Sequence, residues 1–158
     1  MDRPRAEIID TKDPLLLAAQ IEIKSSPRSI FDLLADPAMH SVIDGSGSVQ
    51  RALSGPKRLY LGAKFGMAMR IKVPYRITNE VVEFEEDRRI AWRHIMHWEW
   101  RYILTPLDDE TTLVREEFDG RPARITRWLE ITGALKANPI MMAKTLVRLK
   151  EYCERTQS

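Results

Sequence analysis

Apolar and polar residues alternate along much of the chain up to about residue 119, and beyond it apolar residues recur every three to four positions. The first alternation closes Leu15–Lys24, with Ile21 and Ile23 opposite Gln20, Glu22 and Lys24, and predicts a strand. Ser26-Pro27 then supplies a helix N-cap and a proline at the first helical position, where a missing N–H costs nothing. Ile30, Phe31 and Leu34 make one apolar stripe on that short helix. Asp36-Pro37 repeats the device and predicts a second short helix ending near His40–Val42. Asp44-Gly45-Ser46-Gly47 reads as a flexible loop before a strand at Ser48–Leu53. The glycines are not followed by a helix or by Gly-Lys-Ser/Thr, so they do not make a phosphate loop.

Lys64–Val73 alternates cleanly, with Phe65, Met67, Met69 and Ile71 on one face and Lys64, Arg70 and Lys72 on the other. Pro74 is the expected turn, and Tyr75–Glu85 the next strand. There the apolar positions change parity, from Tyr75, Ile77 and Val81 to Val82 and Phe84. A bulge near Asn79–Val81 reconciles them, because one extra residue exchanges the two faces. After a turn at Glu86-Asp87-Arg88 comes Arg89–Leu107, which holds three of the four tryptophans. Ile90, Trp92 and His94 share one face of its first strand, and Trp98, Trp100, Tyr102 and Leu104 one face of its second. A two-residue turn puts Trp92 opposite in sense to Trp98 and Trp100, whereas an odd-length connection places all three together. The three-residue loop Ile95-Met96-His97 meets that requirement if His97 is left-handed, a conformation in which histidine is enriched. The same register sets Arg93 opposite Glu99 on the outer face.

Thr111–Asp119 is the last predicted strand, its inward set Thr112, Val114, Glu116 and Phe118. Past Gly120 and Pro122 the period becomes helical, with Ile125, Trp128, Leu129 and Thr132 on one face. Gly133 loosens the chain, and Asn138-Pro139 is read as the start of the final helix. There Met142, Leu146, Leu149 and Cys153 form the stripe, with Met141, Thr145 and Tyr152 on its flanks.

Length and composition suit one soluble domain: 158 residues, 44% hydrophobic and 30% charged. Residues 1–13 are expected to be a loose arm and 14–158 a single domain. One cysteine excludes an internal disulfide, and it fits a reducing compartment. The charged N-terminus is unlike a signal peptide, and the best apolar run, Leu15–Ala19, is far too short to span a membrane. A cytoplasmic protein without integral membrane association is expected. Charge is segregated: residues 50–76 carry seven bases and no acid, whereas residues 80–119 carry twelve acids and five bases. Opposed faces compensating within the fold account for this, as does steering of an anionic partner. No basic stripe is interleaved with exposed aromatics, so nucleic-acid binding is not expected.

Certain residues, taken in order, resemble the SRPBCC superfamily, also called START-like or helix-grip. They are Ser26-Pro27 with Phe31, Asp36-Pro37 with His40, Asp44-Gly45-Ser46-Gly47, and Gly62 to Gly66. Asn79 with Val82 and Phe84 follows, then Ile90-Ala91-Trp92-Arg93-His94, Trp100-Arg101-Tyr102 with Leu104 and Pro106, and Thr112 with Val114. Within that superfamily the likeness is to bacterial proteins named polyketide cyclase/dehydrase or lipid-transport-like, and it covers about residues 15–156. The hairpin tip departs from the pattern, with Met96 and His97 where glycines are usual. The resemblance implies an α+β fold, a curved antiparallel sheet of six to seven strands gripping a long C-terminal helix around a hydrophobic cavity. It does not imply catalysis, because many members only bind.

Residues whose parity points toward that helix are Phe65, Met67, Met69, Asn79, Trp92, Trp98, Trp100 and Leu104 from the sheet. Met141, Met142, Thr145 and Leu149 join them from the helix. As a set they suit a pocket for a hydrophobic small molecule, lipid-like or polyketide-like, since aromatic walls and pliant methionines adapt to such ligands. Taken singly, each is equally an ordinary core residue. Binding or transport of such a molecule, as a monomer or homodimer, is the leading expectation. The alternative is a polyketide aromatase/cyclase or dehydratase using inward His94, Tyr102 and Glu116 as proton donors and acceptors, with Tyr102 opposite Glu116 if Leu104 pairs with Val114. A protein-interaction module using the basic 50–76 segment is the third reading. Neither metal nor cofactor is expected: nothing completes a zinc site around His94 and His97, and no Walker, Gly-x-Gly-x-x-Gly or Gly-x-Ser-x-Gly motif occurs. Cys153 lies on an apolar stripe, as core rather than nucleophile.

Overall fold

A computed structural model describes residues 3–123 and 134–156. The stripe of Ile125, Trp128, Leu129 and Thr132, and Gly133 after it, lie outside these residues. Eight antiparallel strands form one sheet: β1 Glu7–Ile9, β2 Leu16–Ile23, β3 Val49–Ser54, β4 Lys64–Ile71, β5 Val73–Glu85, β6 Arg89–His94, β7 Glu99–Pro106 and β8 Thr112–Asp119. Their spatial order is β1-β2-β8-β7-β6-β5-β4-β3. Helices α1 Pro27–Leu34 and α2 Pro37–Ile43 join β2 to β3, and α3 Ala134–Thr156 packs chiefly on β2. This is the α+β helix-grip arrangement, with eight strands where six to seven were expected. The extra strand comes from the N-terminal arm, where Glu7–Ile9 pairs with Ala18–Gln20. Among the described residues no helix is long and apolar enough to cross a membrane.

Both helix starts follow their caps. The Ser26 hydroxyl accepts from Ser29 N at 3.2 Å and the Asp36 carboxylate from Ala38 N at 3.0 Å, so each proline sits where no donor is needed. Ile30, Phe31 and Leu34 are wholly buried, as the stripe requires. On α3 the buried stripe is Met142, Leu146, Leu149 and Cys153. Asn138-Pro139 lies inside α3 rather than starting it. A proline inside a helix removes the bond to the carbonyl four residues back, here Leu135, and crowds that oxygen, a cost that packing of the stripe offsets.

The tryptophan hairpin has the expected odd-length tip. His94 N donates to Trp98 O at 2.9 Å, His97 N donates to His94 O at 2.8 Å, and His97 has φ +70°. Trp92 therefore faces Trp100, and Arg93 pairs with Glu99 at 2.7 Å on the other side. The bulge in β5 lies between Val81 and Glu83, slightly later than expected, and brings Asn79, Val81 and Phe84 inward. The β4–β5 chain reversal is at Lys72, φ +64°, not at Pro74. Pro74 is tolerated within β5 because β6 pairs only with Asn79–Glu85, which leaves β5 without a neighbour on that side at Pro74.

The Asp44–Gly47 segment is tied down rather than flexible. The Asp44 carboxylate accepts from Ser46 N, Ser46 Oγ and Val49 N, while Gly45 N donates to Thr145 Oγ1 at 2.9 Å and Arg148 donates to Asp44 O at 2.6 Å. Gly45 lies directly against α3: a Cβ there would stand 2.5 Å from Lys144 Cβ and 2.6 Å from Thr145 N. A Cβ on Gly47, φ +75°, would meet nothing. We expect Gly45→Ala to lower unfolding free energy by about 1–3 kcal/mol through overpacking, and Gly47→Ala by about 1–2 kcal/mol through backbone strain alone. Urea titration of each variant, with a reporter on α3 such as hydrogen exchange, distinguishes them, because only Gly45→Ala should loosen the helix.

Candidate functional site

The sheet register brings the candidate residues into rows. Ile90, Tyr102, Glu116 and Ala19 lie side by side across β6, β7, β8 and β2, and Trp92, Trp100, Phe118 and Leu17 form the adjacent row. All face the side on which α3 packs. In the first row the Tyr102 hydroxyl donates to Glu116 Oε1 at 3.0 Å. Both side chains are buried, and Glu116 Oε2 has no hydrogen-bond partner. Around them lie Trp92, whose ring is 5.8 Å from that of Tyr102, and buried Ile90, Leu104 and Val114.

Removal from water disfavours the charged form of Glu116 and pushes its carboxyl up to about 8. The Tyr102 hydrogen bond opposes the shift, and the nearby Asp44 carboxylate adds to it. The Tyr102 hydroxyl is driven well above its ordinary value by burial and by Glu116. At neutral pH the pair therefore keeps both protons. Because Oε1 accepts from Tyr102, the carboxyl proton belongs on Oε2, where it makes an unused donor in an apolar interior.

His94 does not join this pair. It stacks on Trp98 with centroids 4.4 Å apart and planes 7° apart, and its Nδ1 accepts from Met96 N at 3.1 Å. It lies four residues along β6 from Ile90, the neighbour of Tyr102. Burial holds its pKa below the ordinary value. The expected three-residue acid–base set is thus two residues and a separate imidazole.

The remaining candidates also divide. Phe65, Met67, Asn79, Trp92, Leu104, Met142, Thr145 and Leu149 are buried, whereas Met69, Trp98, Trp100 and Met141 are half-buried. Two further groups, one on α2 and one just after it, lie beyond the reach of strand parity. His40 of α2 stacks on Trp92 at 4.8 Å and approaches Phe65 edge-on at 5.6 Å, with Nε2 2.9 Å from Leu34 O. Burial lowers its pKa, so the neutral ring is favoured. Its signal was the spacing of Pro37, His40 and Ile43, all buried on one side of α2. Asp44, which acts electrostatically on both Tyr102 and Glu116, looked in the sequence like a loop residue. Cys153 is buried and its thiol pushed up to about 12 by desolvation, which leaves it unreactive.

An open antiparallel sheet with a long C-terminal helix against one face, and a polar pair enclosed between them, defines a helix-grip protein. The family model for polyketide cyclase / dehydrase and lipid transport matches residues 15–154, and the chain belongs to that family. It is 30% identical over 147 residues to the uncharacterized protein Rv0088 of Mycobacterium tuberculosis, covering 90% of this chain. The chain spans 66% of the length of that relative. Among solved structures it is similar to protein Ms6760 from Mycobacterium smegmatis, with TM-score 0.72 and 15% identity over 97% of this chain and 99% of that one. It is also similar to the Polyketide_cyc-like protein Cgl2372 from Corynebacterium glutamicum, with TM-score 0.62 and 16% identity over 91% and 94%. At such identities the structural likeness concerns the fold.

The buried carboxyl makes stability depend on pH with a definite sign. Between the ordinary value of 4.5 and about 8, the folded chain holds a proton that the unfolded chain releases, so raising pH destabilises the fold. Compared with Glu116→Gln, the wild type should lose stability by up to about 1.4 kcal/mol per pH unit across that window and level off above it. His40 titrates identically in both proteins and cancels. In Tyr102→Phe the levelling point should move upward, because the hydrogen bond that lowers the Glu116 pKa is gone. Urea denaturation at intervals from pH 5 to 9 measures both effects.

Proposed function

We propose that the chain binds a hydrophobic small molecule between the inner face of the sheet and α3, with Tyr102 and Glu116 as its polar anchor. The observation that carries this reading is the buried Glu116 Oε2, a polar atom without a hydrogen-bond partner among apolar side chains. Leaving such a group unpaired costs about 1–3 kcal/mol, which an acceptor oxygen on a ligand would recover. The ligand class follows: an apolar body bearing a carbonyl, ether or hydroxyl oxygen. Membership of a family described by polyketide cyclase / dehydrase and lipid transport supports an interior that receives such molecules. The half-buried Trp98, Trp100, Met69 and Met141 are the residues through which a ligand would meet the interior.

A carboxyl near neutrality also suits acid–base work, and this favours a second reading in which Glu116 protonates an enolate or leaving oxygen of a polyketide-like substrate. His94, stacked on Trp98, takes no part in it. Native mass spectrometry of protein from its own host separates the two readings, since a ligand recovered unchanged supports binding and one changed in mass supports catalysis.

Binding can be tested with 2-tridecanone and tridecane, which differ by one carbonyl, followed by tryptophan fluorescence. The ketone should bind more tightly than the alkane. Glu116→Leu should weaken the ketone roughly five- to thirty-fold, the equivalent of one buried hydrogen bond, and leave the alkane unaffected. Glu116→Gln, whose amide still donates, should retain ketone binding. Failure of both probes to bind the wild type would sink the proposal.

A further inference from the structure

Charge compensation in this fold is local and incomplete. The acidic residues of β5 to β8 meet arginines on the outer face: Arg101 pairs with Glu83, with Glu99 at 3.0 Å, with Glu117 at 2.9 Å and with Asp119 at 3.4 Å. Arg93, Arg115 and Arg121 complete that network, and Arg58 pairs with Asp32 and Glu86. The far end of the sheet has nothing comparable. No acid occurs between Asp44 and Glu80, and Arg51, Arg70, Lys72 and Arg76 make no ion pair among the described residues.

The register places these cations together. Arg51, Ala68 and Arg76 are cross-strand partners on β3, β4 and β5, and Arg70 follows Ala68 on the same face. Two strand spacings separate Arg51 from Arg76, roughly 10 Å, with the small Ala68 between them. The result is a groove of about 460 Å³ lined by all three arginines. The opposite face of the same hairpin is apolar and open to solvent: Ile71 is 59% exposed, Val73 65% and Tyr75 38%. Lys72, left-handed, forms the reversal between Ile71 and Val73. An exposed apolar tip next to unpaired cations is unusual for a surface that meets only water.

We propose that the β4–β5 tip docks end-on to an anionic lipid bilayer, with Ile71, Val73 and Tyr75 entering the interface and Arg51, Arg70 and Arg76 taking lipid phosphates. Charge complementarity selects this occupant. Three guanidiniums around one small residue match a headgroup phosphate, and the flanking apolar side chains match the acyl boundary. An acidic protein would satisfy the arginines and leave Ile71 and Val73 without a partner of their own kind. A second copy meeting this patch with its own would bring arginines against arginines, with no acid between Asp44 and Glu80 to pair them, which opposes that assembly. The proposal is independent of what the interior binds.

Sedimentation with vesicles tests it. The full chain should bind phosphatidylcholine vesicles containing 30% phosphatidylglycerol, bind pure phosphatidylcholine much less, and release at high salt. One interfacial cation contributes about five-fold in affinity, so Arg51→Gln/Arg70→Gln/Arg76→Gln should bind at least ten-fold more weakly. Ile71→Ser/Val73→Ser should also bind more weakly at unchanged charge. Lys24→Gln/Arg28→Gln/Lys136→Gln, which removes equal charge elsewhere, should bind like the wild type, and circular dichroism verifies that all variants are folded. Absence of binding, equal binding to neutral vesicles, or an equal loss in the control variant would overturn the proposal. So would a dimer in sedimentation velocity that the arginine variant dissolves, or inorganic phosphate binding the groove without vesicle binding.

Discussion

One left-handed residue, His97, determines which side of the sheet carries which chemistry. Its positive φ closes an odd-length tip, and the odd length puts Trp92, Trp100 and Tyr102 on the inner face while Arg93, Glu99 and Arg101 go out. A slip of β7 by one residue would reverse that strand, setting the Arg101 guanidinium beside Ile90 and Val114 and turning Trp100, Tyr102 and Leu104 outward. The cost of burying that cation without the carboxylates of Glu83, Glu117 and Asp119 makes the register strongly specified. The rest of the interior follows from this choice.

The two faces handle buried charge in opposite ways. Outside, Arg101 pays desolvation but stays charged, its pKa raised by the hydrogen bonds it donates to Glu83 and Glu117, because carboxylates surround it. Inside, Glu116 has no cation near it among the described residues, only a phenol and the Asp44 carboxylate, and so it keeps its proton. One face is therefore neutral by pairing and the other by protonation. Pairing leaves no spare hydrogen-bonding capacity, whereas protonation leaves one donor. That asymmetry is why the inner face, and not the better-populated outer network, reads as a site.

Much of this was legible in the residues. Both proline-capped helices, the hairpin tip, the Arg93–Glu99 pair and the Tyr102–Glu116 pair follow from caps and parity, which are local or nearest-neighbour properties. The corrections all involve longer range. β1 forms because β2 offers an edge, Pro74 stays within β5 because β6 ends early, and α3 runs through Pro139 because its stripe packs on β2. His94 was inward by parity and still stands apart from Tyr102, since sharing a face says nothing about distance along a strand. Asp44 looked like a loop residue because its influence on Glu116 exists only once α3 pulls the Gly45 backbone against Thr145.

By itself the sequence determined the periodicities, and with them the elements, the faces and the family resemblance. Period two and period 3.6 are imposed by backbone geometry, so they are written in the order of side chains and need no partner to be read. Only the tertiary structure decided which inward residues touch. It set His40 on Trp92, sent His94 to Trp98, and left Glu116 Oε2 without an acceptor. It also decided which charges remain uncompensated at the β4–β5 tip. Contacts and burial depend on how far apart elements dock, and no repeat along a single chain encodes that distance.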